Sequence, residues 1–397
     1  MKGMKRLMQT ILIGAILSAQ AILASCAPRA TPTPTNIPAP ATPGPVSTPA
    51  SNLPPIRQAQ GMPPTSQDLA WQKIIEAAKK EGKVTAYTFG MTGDVGTAVA
   101  KAFWDRFNIQ AEFVSGVGTM LIERIKSEHA ARKYIADTLD TSGSILAQAR
   151  EAGLTQTMAD IHVLQEKGVW RVFPAPDPGV NLVSLSYQLM APFINTTLVK
   201  PGEEPQSYLD LLEPRWKGKV TVASPDTTPN LVYVYVFRQK LGLGDDYFAR
   251  LGRQEPRQVA NVRELYRSVA VGESALILSG GSGSMSPFIK EGAPARVLDM
   301  KEGVMSLGSP ALSLVKNGPH PNAARVFVNW LLSPEGQTAF NQARSSSPLR
   351  QEVPDFTPKG AGLSPQKLFV IDPEAEKETA RVMQQGDLAR LMGLSTK

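Results

Sequence analysis

Cysteine and histidine are scarce in this sequence of 397 residues: there is one cysteine, Cys26, and there are three histidines. A single thiol cannot form an internal disulfide, so the fold cannot depend on one. His129, His162 and His320 stand at unrelated positions, and no carboxylates, imidazoles or phenols have the spacing of metal ligands. The composition therefore predicts neither a disulfide scaffold nor a resident metal or other cofactor.

A strong excess of one charge is also missing. The formal net charge is +7, and three of the cations, Lys2, Lys5 and Arg6, lie at the very start of the chain. About +4 is left for the other residues, and it is spread without long basic runs. Nucleic-acid-binding proteins concentrate positive charge on one face, so we expect no nucleic-acid partner.

The chain has no apolar run long enough for a stable transmembrane helix. Residues 7–22 are mostly apolar and uncharged, but Gly14, Ser18 and Gln20 interrupt them. A positively charged start, a short apolar core and an ending of small residues are typical of a signal peptide. We predict this signal peptide over residues 1-25.

The predicted signal peptide ends in Leu23, Ala24 and Ser25, directly before Cys26. This ending resembles the bacterial lipobox, in which the cysteine thiol receives a diacylglyceryl group and the peptidase cuts just before it. We therefore predict that Cys26 is lipidated and that the protein is extracytoplasmic. Two acyl chains would hold it stably on the cell membrane. The alternative is an ordinary signal peptide in which Cys26 is incidental.

Residues 26-64 contain no aromatic residue and almost no charge, whereas Pro, Thr, Ala and Ser dominate. Such a stretch has little to bury, so it should stay extended or disordered. We interpret it as a tether between the lipid and the folded body. A degenerate N-terminus without a role would have the same composition.

The remaining residues, 65–397, exceed what one hydrophobic core normally organises, so two lobes are expected. Helical and strand patterns alternate here: a helix begins at Ser66, a strand covers 83–89, a helix passes through Phe103 and a strand covers 109–114. This alternation is typical of parallel βαβ units, and it predicts an α/β fold.

Small residues repeatedly follow the predicted strand ends. In parallel sheets, ligands bind outside the carboxyl ends of the strands, where loops lead into helix N-termini. Glycine lets a ligand approach the backbone, hydroxyl groups donate hydrogen bonds, and a helix N-terminus favours anions. A capped turn is the simpler interpretation of any one loop, but five such loops together predict a ligand site. The candidate ligand-binding residues are Gly90, Thr92, Gly93, Gly118, Thr119, Ser142, Gly143, Ser186, Ser224, Asp226, Thr227, Ser279, Gly280, Gly281 and Ser282.

Four stretches resemble the extracellular solute-binding proteins of bacterial ABC importers, in the group that includes ferric-iron-binding proteins. They are Trp71–Val84 (WQKIIEAAKKEGKV), Tyr208–Val220 (YLDLLEPRWKGKV), Gly272–Leu276 (GESAL) and His320–Gln337 (HPNAARVFVNWLLSPEGQ). They occur in the order found in the family, and the similarity extends over about residues 68–358.

The resemblance implies a two-lobed type II periplasmic-binding-protein fold, in which each lobe is a mixed, mostly parallel sheet flanked by helices and a hinge joins the lobes. Residues 182–188, which include Ser186, fit a strand that crosses between the lobes. Trp216 and Trp330 are expected to fill lobe cores. The implied parts are 65-178 for the N-terminal part of lobe 1, 179-292 for the hinge and lobe 2, and 293-397 for the hinge return, the C-terminal part of lobe 1 and a C-terminal helix.

One departure from the family concerns iron. The resemblance implies that ferric-iron-binding proteins carry adjacent tyrosines just after the strand that follows Gly272 and Glu273, but residues 278–283 contain none. The Gly, Ser and Thr loops instead favour a polar or anionic small molecule, such as a carboxylate, a phosphate ester or a phosphonate. Arg263 is a candidate charge partner, although a solvated helix arginine is the simpler interpretation.

The sequence thus predicts a monomeric receptor without catalytic activity that captures such a solute between two lobes and delivers it to an ABC permease. A ferric-iron receptor of the same family stays open as an alternative, as does a receptor that serves a sensor or scavenges. A lipid-anchored hydrolase is the alternative from another class. It would use Ser282 and His320, but residues 280–284 lack the final glycine of a nucleophile elbow.

Overall fold

The computed structural model describes residues 66–171, 181–224, 228–363, 365–371 and 387–394, which belong to one structural unit, Arg57–Lys397. The predicted signal peptide, Cys26 and the predicted tether lie outside the described residues. Within the described ranges, no helix is both long enough and apolar enough to cross a membrane.

Helices form where apolar residues recur at the helical period. In the helix Gly93–Phe107, the buried residues Gly96, Val99, Phe103 and Phe107 are three or four positions apart, so they line one face. The described helices are α1 Ser66–Glu81, α2 Gly93–Phe107, α3 Gly118–Ala130, α4 Gly143–Glu151, α5 Thr228–Gln239, α6 Gly244–Gly252, α7 Val262–Ala270, α8 Ser282–Lys290, α9 Pro321–Leu331, α10 Pro334–Arg344 and α11 Asp387–Met392.

Most strands are buried along almost their whole length. In the strand Lys83–Thr88, every residue after the first is buried, as expected when both faces of a sheet are covered. The described strands are β1 Lys83–Thr88, β2 Gln110–Ser115, β3 Thr138–Thr141, β4 Thr155–Gln156, β5 Val183–Ser184, β6 Ser186–Asn195, β7 Val220–Ala223, β8 Arg257–Val259, β9 Leu276–Gly281, β10 Ala295–Val297, β11 Val304–Gly308, β12 Ala311–Val315, β13 Ser347–Pro348 and β14 Leu368–Ile371.

The first sheet has the strand order β2-β1-β3-β12-β4, with β5 also paired to β12. β1 is parallel to β2 and β3, whereas β12 is antiparallel to β3, β4 and β5. In this lobe, α1 packs against α9 and α2 packs against α10. Val84 and Ala86 of β1 join the apolar cluster that contains Phe103 and the buried Trp330, and Tyr87 joins a second cluster.

The second sheet has the strand order β14-β11-β6-β9-β7-β8, and β10 and β13 also pair with β6. Its core contains the buried Trp216 and an aromatic group in which the Tyr208 and Phe237 ring centroids are 4.6 Å apart. Both predicted core tryptophans, Trp216 and Trp330, are therefore core residues, with 4% and 2% of their surface exposed.

Both sheets are mixed, but they contain more antiparallel pairings than the expected mostly parallel sheets would. β7 is parallel to β8 and β9, and β11 is parallel to β14, whereas β6 is antiparallel to β9, β10, β11 and β13. The reason is the direction of the crossing strands. β6 begins where the chain enters the second sheet, so it runs antiparallel to β9, which ends there. β12 begins where the chain enters the first sheet, so it runs antiparallel to β3, which ends there.

Two crossings connect the sheets, and they are hydrogen-bonded to each other. The chain passes from β5 in the first sheet to β6 in the second through Leu185, and it returns from β11 to β12 through Ser309 and Pro310. The Leu185 amide donates to the Pro310 carbonyl oxygen at 2.8 Å, and the Ser309 amide donates to the Ser186 carbonyl oxygen at 3.0 Å. The predicted crossing strand over residues 182–188 is thus present, and we refer to residues 184–186 and 309–311 as the hinge.

The C-terminal part of the chain differs from the sequence-based division, which placed residues 293-397 in the hinge return and lobe 1. β10, β11 and β14 belong to the second sheet, and α11 packs against α6 of the second lobe. α9, α10 and β12 do lie in the first lobe. A short apolar strand such as Leu368–Ile371 can pair with either sheet, so its sequence does not determine its lobe. Of the predicted C-terminal helix, only Asp387–Met392 falls among the described residues.

Candidate functional site

The carboxyl ends of three parallel strands meet at one edge of the first sheet. β1, β2 and β3 lead directly into α2, α3 and α4, whose N-cap residues are Thr92, Val117 and Ser142. None of these N-cap residues accepts a side-chain hydrogen bond from its helix. Three helix N-termini, each with the positive end of its dipole, therefore face outwards from this edge.

This edge lies at the hinge, and so does the corresponding edge of the second sheet. Thr141, the last residue of β3, is in register with Ala311, the first residue of β12. In the second sheet, Gly281 at the end of β9 is in register with Met190 near the start of β6. Since β6 and β12 both begin at the hinge, the ends of β3 and β9 approach it from opposite lobes. The region between the two edges is hereafter called the cleft.

On the first-lobe side, the buried Asp140 holds the loop between β1 and α2. Its Oδ1 accepts hydrogen bonds from the amides of Gly90 at 2.7 Å and Phe89 at 3.2 Å. Its Oδ2 is buried and has no hydrogen-bond partner among the described residues. Burial raises the pKa of this carboxyl from 3.8 to about 6, and the hydroxyl of Thr88, the two amides and the charge of Arg344 offset this only in part.

Two of the predicted glycines are required by close contacts. A Cβ on Gly118 would lie 1.9 Å from Thr141 Oγ1, and a Cβ on Gly90 would lie 2.4 Å from Pro310 Cγ in the hinge. Glycine thus lets the loops of β1 and β2 pack closely against β3 and the hinge. These contacts are internal, so they account for the two glycines without a ligand.

Apolar side chains also border the first-lobe edge. Phe89, Val117 and Met120 follow the ends of β1 and β2, and 47%, 59% and 69% of their respective surfaces are exposed. Exposed apolar groups beside helix N-termini are suited to contact the organic part of a ligand.

The other first-lobe candidates differ in their exposure. Thr92, Gly93 and Thr119 are exposed, whereas Ser142 is half-buried, with its hydroxyl 3.3 Å from that of Ser144. Gly143 is buried in the first turn of α4. The structure therefore gathers all seven first-lobe candidates at one edge: Gly90, Thr92, Gly93, Gly118, Thr119, Ser142 and Gly143.

The second-lobe candidates are more deeply enclosed. Ser279, Gly280 and Gly281 are buried within β9, and the Ser282 hydroxyl accepts a hydrogen bond from the Leu189 amide at 3.0 Å. Ser224 is half-buried after β7. Asp226 and Thr227 lie outside the described residues.

Ser186 occupies the hinge itself. It is buried, and its hydroxyl donates to the Ser309 carbonyl oxygen. This bond joins the two crossings, so Ser186 has a structural role that the sequence did not predict.

Sequence reasoning missed three polar residues near the cleft. Asp140 follows the pattern of the other strand ends, and the run Asp140-Thr141-Ser142 was a signal that could have revealed it. Gln188 had no such signal, yet its Oε1 lies 2.5 Å from the position of a Cβ on Gly281. Arg344 lies about 200 residues after β3 in the sequence, and its Nη1 donates to the Gly90 carbonyl oxygen at 3.3 Å. Arg263, the predicted charge partner, is exposed on α7.

The residues required by the hydrolase alternative do not form a catalytic pair. His320 Nδ1 is 2.8 Å from Asp137 Oδ2, immediately before β3 and thus at the end of that strand away from the cleft. Ser282 is buried beside β6, at the carboxyl end of β9. Among the described residues, no group of three or more His, Cys, Asp or Glu side chains could hold a metal ion.

Two mixed sheets, each flanked by helices and joined by paired crossings, define the two-lobed type II periplasmic-binding-protein fold. Solved structures agree. Iron-bound HitA from Pseudomonas aeruginosa matches with a TM-score of 0.60 at 23% identity, over 79% of this chain and 99% of that one. AfuA from Actinobacillus pleuropneumoniae, with fructose-6-phosphate bound, also has a TM-score of 0.60, at 20% identity, over 79% of this chain and 100% of its own.

The family model for bacterial extracellular solute-binding proteins matches residues 135–366, which is more than half of the chain. The chain belongs to this family. A Salmonella typhimurium protein provisionally named as a 2-aminoethylphosphonate-binding periplasmic protein is 26% identical over 291 residues, which cover 69% of this chain and 80% of that protein.

Membership of this family confirms three predictions made from the sequence: the family itself, the two-lobed α/β fold and the absence of catalytic activity. Members of the family bind small solutes and work with ABC transporters as transport components, not as enzymes. The individual ligand-binding residues stay predictions.

Proposed function

We propose that this chain is a lipid-anchored, extracytoplasmic receptor that captures a small polar or anionic solute between its lobes and delivers it to an ABC permease. The observation that carries the proposal is the convergence of helix N-termini at the hinge: α2, α3 and α4 from the first lobe and α8 from the second. Helix N-termini offer amide donors and a positive dipole end, which favour anions.

Two similar proteins support an organic anion as the solute. The Salmonella relative is named for 2-aminoethylphosphonate, and the AfuA structure contains fructose-6-phosphate. Both compounds carry a phosphorus oxyanion on a small organic body. The exposed Phe89, Val117 and Met120 would contact that body, while the helix N-termini would bind the oxyanion.

The iron bound to HitA makes ferric ion the main competing solute. In this chain, the place expected for the family's iron-binding tyrosines is occupied by the buried Ser279, Gly280 and Gly281. For four of the buried tyrosines among the described residues of the second lobe, burial raises the pKa of the phenol, which disfavours the phenolate that iron requires. These are Tyr208, Tyr233, Tyr247 and Tyr266. Both observations favour the organic anion.

Isothermal titration calorimetry on the full chain, purified from membranes in detergent, tests the proposal. The probes are 2-aminoethylphosphonate, fructose 6-phosphate, citrate, inorganic phosphate and ferric ion supplied as a chelate. We expect at least one organic anion to bind with a dissociation constant in the micromolar range or below. Ethanolamine and fructose are matched controls, because they lack the phosphorus group, and they should not bind. Ferric binding without binding of any organic anion would contradict the proposal.

Delivery to a permease and attachment to the membrane are parts of the same proposal. Genes for a permease and an ATPase beside the gene for this chain would support import over a role in sensing or scavenging. The attachment would depend on a lipid on Cys26.

A further inference from the structure

Arg344 places a guanidinium group at the junction of the first-lobe edge and the hinge. It is the last residue of α10, and its Nη1 donates to the carbonyl oxygen of Gly90 in the loop between β1 and α2. Gly90 in turn contacts Pro310 of the hinge, since the position of a Cβ on Gly90 is 2.4 Å from Pro310 Cγ. The guanidinium therefore lies at the base of the cleft, close to the N-terminus of α2.

The charge of Arg344 is poorly compensated. Its side chain is half-buried, and within the described part of the chain no carboxylate lies within 4.0 Å of it. Asp140 acts on it only from a greater distance, and the Asp140 Oδ1 already accepts from two backbone amides. Arg350 shows the contrast, because this buried arginine is paired with both Glu166 and Glu352.

Most of the hydrogen-bonding capacity of Arg344 is also unused. A guanidinium has five N–H donors, and among the described residues this one makes a single hydrogen bond, at 3.3 Å. Burial lowers the pKa of Arg344, and the charge of Asp140 offsets this only in part. An anion that supplies acceptor oxygens stabilises a charged group in this state.

We infer that Arg344 is the residue that recognises the negative charge of the solute, by binding two oxygens of a carboxylate, phosphate or phosphonate at the base of the cleft. The planar fork of arginine matches two oxygens on one centre. The N-terminus of α2, which begins at Gly93 just after the Gly90 loop, adds amide donors. This inference rests on the proposed function and names the charge-binding residue of the same site.

The test compares Arg344→Gln and Arg344→Lys with the wild-type chain by titration calorimetry, using whichever probe anion binds the wild type. We expect Arg344→Gln to weaken binding by about 10- to 100-fold, as for the loss of hydrogen bonds to a charged group. Arg344→Lys keeps the charge but loses the fork, so it should recover only part of the affinity. A purely structural role predicts instead that both variants lose affinity only as far as they lose thermal stability.

Arg106→Gln is the matched control, because Arg106 lies in the last turn of α2 and pairs with Glu335 of α10 at 3.5 Å, away from the cleft. This variant removes the same charge from the same helix pair, and its affinity should equal that of the wild type. Unchanged anion affinity in a folded Arg344→Gln variant would overturn the inference and leave the proposed function standing. If the wild type binds no probe anion, the proposed function fails, and the inference fails with it. If Arg344→Gln does not fold, the Arg344→Lys variant provides the test. An anion affinity of Arg344→Lys equal to that of the wild type would overturn the bidentate contact.

Discussion

At the scale of single residues, Asp140 shows how a buried carboxylate can organise a loop at a cost in stability. It accepts hydrogen bonds from the amides of Phe89 and Gly90 through one oxygen, while the other oxygen is buried without a partner among the described residues. Its pKa is raised to about 6 in the folded chain because burial disfavours the ionised form.

This raised pKa predicts a specific pH dependence. The folded state binds the Asp140 proton more tightly than the unfolded state, so the stability that the proton contributes is full below pH 3.8 and is lost as the pH rises through about 6. Asp140→Asn removes this titration but keeps an oxygen for the two amides. We expect the free energy of unfolding of the wild type, relative to Asp140→Asn, to fall by about 2–3 kcal/mol between pH 4 and pH 7. Urea unfolding curves at several pH values measure this difference, and a difference that does not vary with pH would contradict the prediction.

At the scale of secondary-structure elements, the position of α10 depends on one buried amide side chain. Gln337 Nε2 donates to the carbonyl oxygen of Leu185 in the hinge at 2.9 Å and also to that of Leu331 at 3.2 Å. Its Oε1 accepts from the Leu349 amide at 2.8 Å, and the side chain is fully buried. Gln337 thus connects α10, the hinge and the chain that leads into the C-terminal segment.

Gln337→Met would keep much of the volume but leave three buried backbone groups without their partner. We expect it to lower the free energy of unfolding by about 2–4 kcal/mol, because buried unsatisfied polar groups are costly. Gln342→Met is the matched control, since Gln342 is exposed on the same helix and its replacement should change stability by less than about 0.5 kcal/mol. Guanidinium-induced unfolding of the three proteins provides the measurement. Equal stability of the two variants would show that Gln337 does not hold the hinge as described.

At the scale of the whole molecule, the proposed function requires that the binding body stay at the membrane outside the cytoplasm. The residues before residue 66 would meet this requirement, because they contain the predicted signal peptide, Cys26 and the Pro/Thr-rich tether. A lipid on Cys26 would keep the receptor within reach of its permease, and the tether would let the body move above the bilayer.

Cys26→Ser removes the thiol that would receive the lipid. In cells given a radiolabelled fatty acid such as palmitate, the wild-type chain should become labelled and partition into the detergent phase of Triton X-114, and Cys26→Ser should do neither. The variant should nevertheless bind the same anion, since Cys26 lies outside the described binding body. Equal labelling of both chains would contradict lipidation at Cys26.

Much of the fold followed from local patterns. Helix α1, which ends just before Gly82, and strands β1 and β2 were readable from periodicity and capping, because these depend on neighbouring residues. The crossing over residues 182–188 was instead implied by the family resemblance. The sheet membership of β14 was not readable, because strand pairing is decided by contacts between distant parts of the chain.

The candidate site divides in the same way. Its location was predictable, because glycine, serine and threonine at strand ends mark helix N-termini, and these ends meet at one edge in each lobe. The use of each side chain was not predictable: the hydroxyls of Ser186 and Ser282 serve the backbone of the hinge and of β6. Arg344 gave no sequence signal, because only the packing of α10 against α2 brings it to Gly90.

The sequence by itself determined the family, the alternation of strands and helices, and the predicted route of export through Cys26. These features reside in short motifs and in periodic burial, which local chemistry is sufficient to specify. Only the tertiary structure decided which lobe holds the C-terminal segment, which hydroxyls are already engaged, and which cation lies at the base of the cleft. Those outcomes depend on contacts between residues that are far apart in the chain. Such contacts form only where the folded chain buries these residues side by side.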